Sequence, residues 1–260
     1  MARNLTDDLK LALEAAAAAD SISLARYQAQ DLVIETKPDL SPVTDADKAV
    51  EKSFRKLISS KRAEDLVVGE EFGAPEKVSG EYYWVIDPID GTKNFLRGVP
   101  TWATLIALMD PNGEAVVGVV SAPALNRTWY ASQGGGAFVK FNNEIKKISV
   151  SKVSKLSDAS ISYSDLQGWG ARREKFIALQ DRIWRTRGIG DFWSHMLVAE
   201  GAVDIAVEPS LKLWDMAALD IILREAGGTF TNIEGKPGPH GGSGISSNGI
   251  LHAEFIKEIN

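Results

Sequence analysis

The chain has 260 residues, 44% of them hydrophobic and 25% charged. That composition is globular and excludes a disordered or fibrous chain. A net charge of −6 argues against nucleic acid and anionic membranes as partners, and the lack of cysteine excludes disulfides, thiolate metal sites and thiol nucleophiles.

The N-terminus MARNLTDDLK lacks the apolar core of a signal peptide. The alanine-rich run at 11–19 is too short to span a bilayer, so a cytoplasmic location is expected. Thr6, Asp7 and Asp8 predict a helix start, because anions favour the positive end of the helix dipole. Alanine-rich sequence carries that helix to about Gln30. Leu32-Val33-Ile34 predicts a short strand, and the two prolines of 37–42 predict a loop. Thr44 or Asp45 caps a second helix running to about Ser60, with Val50, Phe54, Leu57 and Ile58 on one face. Strands follow at 66–68, 82–86, 102–109, 115–121, 128–131 and 136–141, with a strong turn at Asp110-Pro111-Asn112-Gly113.

The second part alternates strands and helices, which predicts an α/β layer. Strands are expected at 159–163, 185–188, 203–207, 229–231 and 245–246. Helices are expected at 172–180, 192–200, 214–225 and from about Gly249 onward, with Gly201 and Gly227-Gly228 as stops. No linker divides the chain. Residues 1–150 are expected to form an N-terminal α+β half and residues 151–260 a C-terminal α/β half.

Acids recur where apolar segments stop. Val67-Val68-Gly69 leads into Glu70, Val85-Ile86 leads into Asp87 and Asp90, and Leu213-Trp214 precedes Asp215. Thr44-Asp45-Ala46-Asp47 opens a helix. A single acid after a strand is most often a cap or a turn former. Two acids flanking Pro88-Ile89 in one tight turn repel each other unless a positive charge lies between them. Carboxylates without adjacent arginines suit a hard, oxygen-liganded cation, and His195, His240 and His252 lack zinc spacing. Gly91 and Thr92 place exposed backbone N–H groups and a hydroxyl beside those acids, as a phosphate site requires. The chemistry this points to is metal-assisted phosphoryl transfer to water.

WVIDPIDGTKNF at 84–95 resembles the first signature of the inositol monophosphatase family. Leu213-Trp214-Asp215-Met216-Ala217-Ala218 with Glu225-Ala226-Gly227-Gly228 resembles the second, and Gly69-Glu70-Glu71 and 44–51 fit in order and spacing. The resemblance covers nearly the whole chain. It implies an α+β fold, a layered α-β-α-β-α sandwich of the inositol monophosphatase and fructose-1,6-bisphosphatase type, usually a homodimer. It implies hydrolysis of small phosphate monoesters with two or three Mg²⁺ ions per site, Mn²⁺ being a possible substitute. By motif, Glu70, Asp87, Asp90, Asp215 and the carbonyl of Ile89 would hold metal, with Glu70 also counted among the catalytic groups. Asp47 and Thr92 would orient and activate the attacking water, and Gly91 and Thr92 would hold phosphate through their N–H groups.

Gly190-Asp191-Phe192 and the segment at 206–212, which contains Glu208, look most like the histidinol-phosphatase branch. Histidinol phosphate carries an ammonium and an imidazole that Asp191 and Glu208 would complement, whereas inositol phosphate offers hydroxyls. Asp191 also suits an N-cap for the Phe192 helix. The alternative within the class is an inositol-1-monophosphatase of broad specificity. From another class stands a non-catalytic regulatory or RNA-associated protein, against which the charge and the intact acid positions argue. Trp169 and Trp193 either border the pocket or pack in the core. Lys93 and Lys212 either face the site or are solvated, and the His240 loop reads as a surface connection. Residues 37–43 are expected to form a mobile loop over the metals.

Overall fold

A computed structural model describes residues 3–260, apart from residues 39, 76, 77 and 79. Residue 39 of the expected mobile loop therefore lies outside the described residues.

Helix α1 (Leu5–Arg26) starts one residue before the predicted Thr6, because Asn4 is the cap and its side chain accepts the Thr6 N–H at 3.1 Å. It stops at Arg26 rather than near Gln30, where Tyr27 turns extended and Gln28 takes a positive φ. Strands β1 (Ile34–Thr36) and β2 (Pro42–Thr44) pair antiparallel, so the loop expected at 37–42 is the tip of a hairpin. Helix α2 (Asp45–Lys61) begins at the predicted Thr44 cap, closed by a reciprocal bond with Asp47.

A seven-stranded sheet follows in the order β3 (Leu66–Gly69), β4 (Tyr83–Asp90), β5 (Ala103–Met109), β6 (Ala115–Ala122), β7 (Arg127–Ser132), β8 (Gly136–Phe141) and β9 (Glu144–Lys147). Only the β3–β4 pair is parallel among them. Strand β9 was not legible, because EIKK is a wholly exposed, charged edge strand. The short helix α3 (Thr92–Leu96) follows β4 and was likewise not predicted.

The second sheet runs β11 (Arg185–Arg187), β10 (Ser160–Ser162), β12 (Ile205–Glu208), β14 (Gly244–Ser247), β13 (Thr229–Thr231). Strand β10 is parallel to β11 and β12, while β14 is antiparallel to both its neighbours. Between these strands lie α4 (Arg173–Gln180), α5 (Asp191–Ala199) and α6 (Leu213–Glu225), and α7 (His252–Ile259) closes the chain.

These elements stack in five layers. Helices α1 and α2 cover one face of the large sheet through Ala12, Ala16, Val50 and Phe54. Helices α5 and α6 fill the space between the two sheets through Phe192, Met196, Leu219 and Ile222. Helices α4 and α7 cover the outer face of the small sheet through Phe176 and Phe255. Strands β5 and β6 are buried along their whole length, because helices lie on both faces. Gly118 makes that closeness possible: a Cβ there would lie 2.8 Å from the Ala218 carbonyl of α6. The layered α-β-α-β-α expectation holds, and it brings the ends of β3 and β4 and the starts of α5 and α6 around one cavity.

Candidate active site

Strand β4 does not end at Asp87, as its apolar run suggested, but continues to Asp90. Its register against β5 shifts between Asp87, opposite Leu105, and Asp90, opposite Ala103. In a regular strand two residues three apart face opposite sides of the sheet. The irregularity re-aims one of them, and oxygens of Asp87, Asp90 and Asp215 come within 4.8 Å of one another. Pro88 holds the bend, since its carbonyl accepts the Thr104 hydroxyl at 2.8 Å. The Ile89 side chain anchors it from below, packed with Ala46, Phe95 and Trp102. Gly91 has φ +81, and a Cβ there would lie 2.9 Å from the Thr101 carbonyl, so glycine suits this corner.

Thr92 opens α3 and donates its hydroxyl to the Ile89 carbonyl at 3.1 Å. Asp215 stands in the first turn of α6, where its Oδ2 accepts the Lys212 N–H at 2.7 Å. Glu70 follows β3 at the edge of the cluster. Its Oε1 meets Lys37 Nζ at 2.6 Å, and the same ammonium reaches Glu71 at 2.7 Å. Lys37 comes from the tip of the β1–β2 hairpin, in the segment expected to lie over the metals, though its charge pairing with these acids was not foreseen. Glu51 of α2, fully buried, accepts the N–H groups of Glu71 and Phe72 at 2.7 and 3.2 Å and so clamps the turn that carries Glu70. Asp47 is buried and does not line the cavity itself. Its Oδ2 holds the Thr44 N–H at 2.8 Å, and its Oδ1 has no protein partner.

Burial comes first in raising the carboxyl pKa values here, and mutual repulsion adds to it. Asp87 is raised well above the usual range by burial and then by Glu70, Asp90 and Asp215. Asp90 is raised by burial, then by Asp191 and Asp215. Burial pushes Asp215 up to about 6 and Asp47 up to about 6, with Glu70 contributing to both. A divalent cation removes both penalties at once. Oxygen-only donors that are acidic, buried and close together fit a hard cation of that kind.

The cavity, about 380 Å³ in volume, is lined by this cluster and by two further acids, Asp191 and Glu208. Asp191 is not the side-chain cap of α5 that the sequence allowed. Gly190 takes the N-cap position, Asp191 adopts φ +50, and its Oδ2 accepts from Asn94 at 3.0 Å. The second N–H of the helix, that of Phe192, goes to Asp90 Oδ2 at 2.7 Å. Glu208 ends β12 and accepts the Ser164 hydroxyl at 2.6 Å, while that same oxygen accepts the Asp191 N–H at 3.0 Å. Burial pushes Glu208 up to about 8 and Asp191 up to about 6. Ser164 holds Glu208, Asn94 holds Asp191, and His195 lines the same cavity; sequence reasoning passed over the first two and considered His195 only as a zinc ligand. Trp169 is core, stacked on Phe176 with ring centroids 3.7 Å apart, and Trp193 packs against the core between the sheets. Lys93 and Lys212 are exposed. His240 bonds the Gly113 carbonyl at 2.7 Å, which ties its loop to the β5–β6 turn.

The model of the inositol monophosphatase family matches residues 4–260. The chain belongs to the inositol monophosphatase family. Among curated proteins of the family, the histidinol-phosphatase of Mycobacterium tuberculosis is 54% identical over 257 residues, covering 98% of each chain. That of Streptomyces coelicolor is 53% identical over 260 residues, covering 98% of this chain and 97% of its own. Among solved structures, an IMPase of Thermotoga maritima superimposes with a TM-score of 0.86 at 33% identity, covering 98% of this chain and 97% of its own. The family is one of metal-dependent phosphatases, and the acidic cluster at the end of β4 is a group that could hold a metal ion.

Proposed function

We propose that the chain hydrolyses L-histidinol phosphate to L-histidinol and phosphate, a step of histidine biosynthesis. One observation carries this reading: a single cavity is lined both by a carboxylate cluster suited to metal and by two further acids, Asp191 and Glu208. The names of the two bacterial relatives support the same substrate.

Glu70, Asp87, Asp90, Asp215 and the carbonyl of Ile89 would hold two or three Mg²⁺ ions, with Mn²⁺ as a substitute. Bound there, the metal supplies positive charge to the phosphoryl group and acidifies water. Gly91 and Thr92 present backbone N–H groups to the phosphate. The Thr92 hydroxyl already donates to Ile89, so its oxygen remains free to accept a hydrogen bond from the attacking water. Asp47 is fixed through Oδ2 by Thr44 and keeps Oδ1 unpartnered behind the cavity lining, so its role toward the attacking water rests on the family motif. In the same cavity Asp191, beside the cluster, and Glu208 face the cationic alcohol, and binding it offsets the burial that raises both carboxyl pKa values.

Residues 1–150 thus furnish most of the metal ligands, while residues 151–260 furnish Asp215 and the selectivity segments. The reading includes a homodimer and a cytoplasmic location. Among the described residues no helix is long and apolar enough to cross a membrane.

Phosphate release from histidinol phosphate and inositol 1-phosphate, compared as kcat/KM with Mg²⁺, tests this. The expected preference is about 100-fold for histidinol phosphate, the scale of a well-made charge contact. Comparable rates, or a preference for inositol 1-phosphate, would replace the reading with a broad inositol monophosphatase.

A further inference from the structure

His195 lies on α5 four residues after Asp191, and both side chains line the cavity. The start of α5 abuts Asp90 through the Phe192 N–H, which places the phosphoryl end of the cavity at the helix N-terminus. Four residues further, His195 stands about 6 Å deeper along the helix axis. Its ring is only 1% exposed and is fixed by Nδ1, which meets Ser246 Oγ at 2.6 Å. Nε2 is buried and has no partner. Buried ring nitrogens ordinarily find partners, and one left without any forfeits the bond it would make in water. The cavity residues Phe192, Leu211 and Leu219 are apolar, and the Phe230 ring lies 6.1 Å from the imidazole. Burial keeps the ring neutral.

We propose that His195 is a specificity-determining residue whose free Nε2 hydrogen-bonds the ring nitrogen of the leaving alcohol. This rests on histidinol phosphate being the substrate. In that molecule the ammonium sits on the carbon next to the ester carbon, and the imidazole hangs one methylene beyond. With the ammonium at Asp191 and Glu208, the ring extends into the same cavity that His195 lines. Ser246 can donate to Nδ1 or accept from it, so Nε2 can present either an N–H or a lone pair. His195 therefore suits either tautomer of a neutral substrate imidazole.

The test uses the full-length enzyme with Mg²⁺. His195→Phe keeps a flat ring and removes both nitrogens. The expected result is a KM for histidinol phosphate raised about tenfold, the size of one neutral hydrogen bond. The inhibition constant of histidinol should rise in parallel, and the kcat/KM ratio of histidinol phosphate to glycerol 1-phosphate should fall. In wild-type protein labelled with ¹⁵N-histidine, saturating histidinol plus phosphate should shift the His195 Nε2 resonance, and inositol plus phosphate should not. This second measurement stands even if the variant fails to fold. An unmoved Nε2 resonance, or equal losses on both esters confined to kcat, overturns the role of His195. A wild-type enzyme with no preference for histidinol phosphate over glycerol 1-phosphate overturns the substrate reading as well. A clear preference with a silent His195 overturns this inference alone.

Discussion

Phe192 donates its backbone N–H to Asp90 Oδ2 at 2.7 Å across 102 residues of chain. One carboxylate thus serves the acidic cluster and starts the helix that carries Asp191 and His195. Asp90→Asn separates these roles, because the amide keeps an oxygen for Phe192 and loses the charge. We expect kcat to fall about 100- to 1000-fold, the scale of removing one preorganised electrostatic group. The circular dichroism spectrum should be unchanged, and the metal-free melting temperature should hold or rise as repulsion with Asp87 and Asp215 is relieved. Phosphate release and thermal melts check both, and activity within a few-fold of wild type would sink the ligand role.

Asp191 combines φ +50 with a bond from Asn94. Asparagine tolerates that backbone and can still accept from Asn94, so Asp191→Asn removes charge alone. The expected loss in kcat/KM is about 10- to 100-fold on histidinol phosphate, and smaller on glycerol 1-phosphate. Equal losses on the two esters would make Asp191 a structural residue.

Gly69 sits against Glu51: a Cβ there would lie 2.0 Å from Oε1 of that carboxylate. Glu51 is fully buried, paired with Arg55 and bonded to the two N–H groups after Glu70, so it cannot retreat cheaply. Gly69→Ala should destabilise by about 1–3 kcal/mol through overpacking. It should also lower kcat, because the turn bearing Glu70 shifts. Melting and turnover measured on the same sample would show the two effects together, and a variant with normal turnover would mean that the clamp does not position Glu70.

Asp20 of α1 is remote from this chemistry. Burial pushes its pKa up to about 6, opposed by the Ser121 hydroxyl at 2.8 Å, and its Oδ1 has no partner. The folded state therefore binds this proton more tightly than the unfolded state does. The resulting stability is fully present below about pH 4 and is lost as pH rises through about 6. Asp20→Asn has no such loss. At pH 8 the variant should be more stable than wild type by about 1–2 kcal/mol after solvent screening, with the gap closing toward pH 4. Melts from pH 4 to 8 would reveal it, and a pH-independent gap would refute it.

The pattern that was legible came from local rules. Thr44 with Asp47 is a capping box written in four residues, and the apolar runs of β5 and β6 read directly as buried strands. The glycine stops also held: the Ala202 N–H bonds the Leu197 carbonyl around Gly201, and Gly228 bonds Leu223 around Gly227. What escaped was set by distant partners. Asp87 reads as a strand end because polarity begins there, yet pairing with β5 carries the strand on to Asp90. Asp191 reads as a cap because nothing local shows that Asp90 supplies one. Ser164 and His195 carry no motif and gain meaning only from Glu208 and Ser246, 44 and 51 residues away.

Lys37 has a consequence for how this protein is assembled. Its ammonium lies between Glu70 and Glu71 and offsets part of the negative charge that folding gathers at the end of β3. The β1–β2 hairpin that carries Lys37 can therefore close on the turn after β3 with that charge already balanced from within the chain.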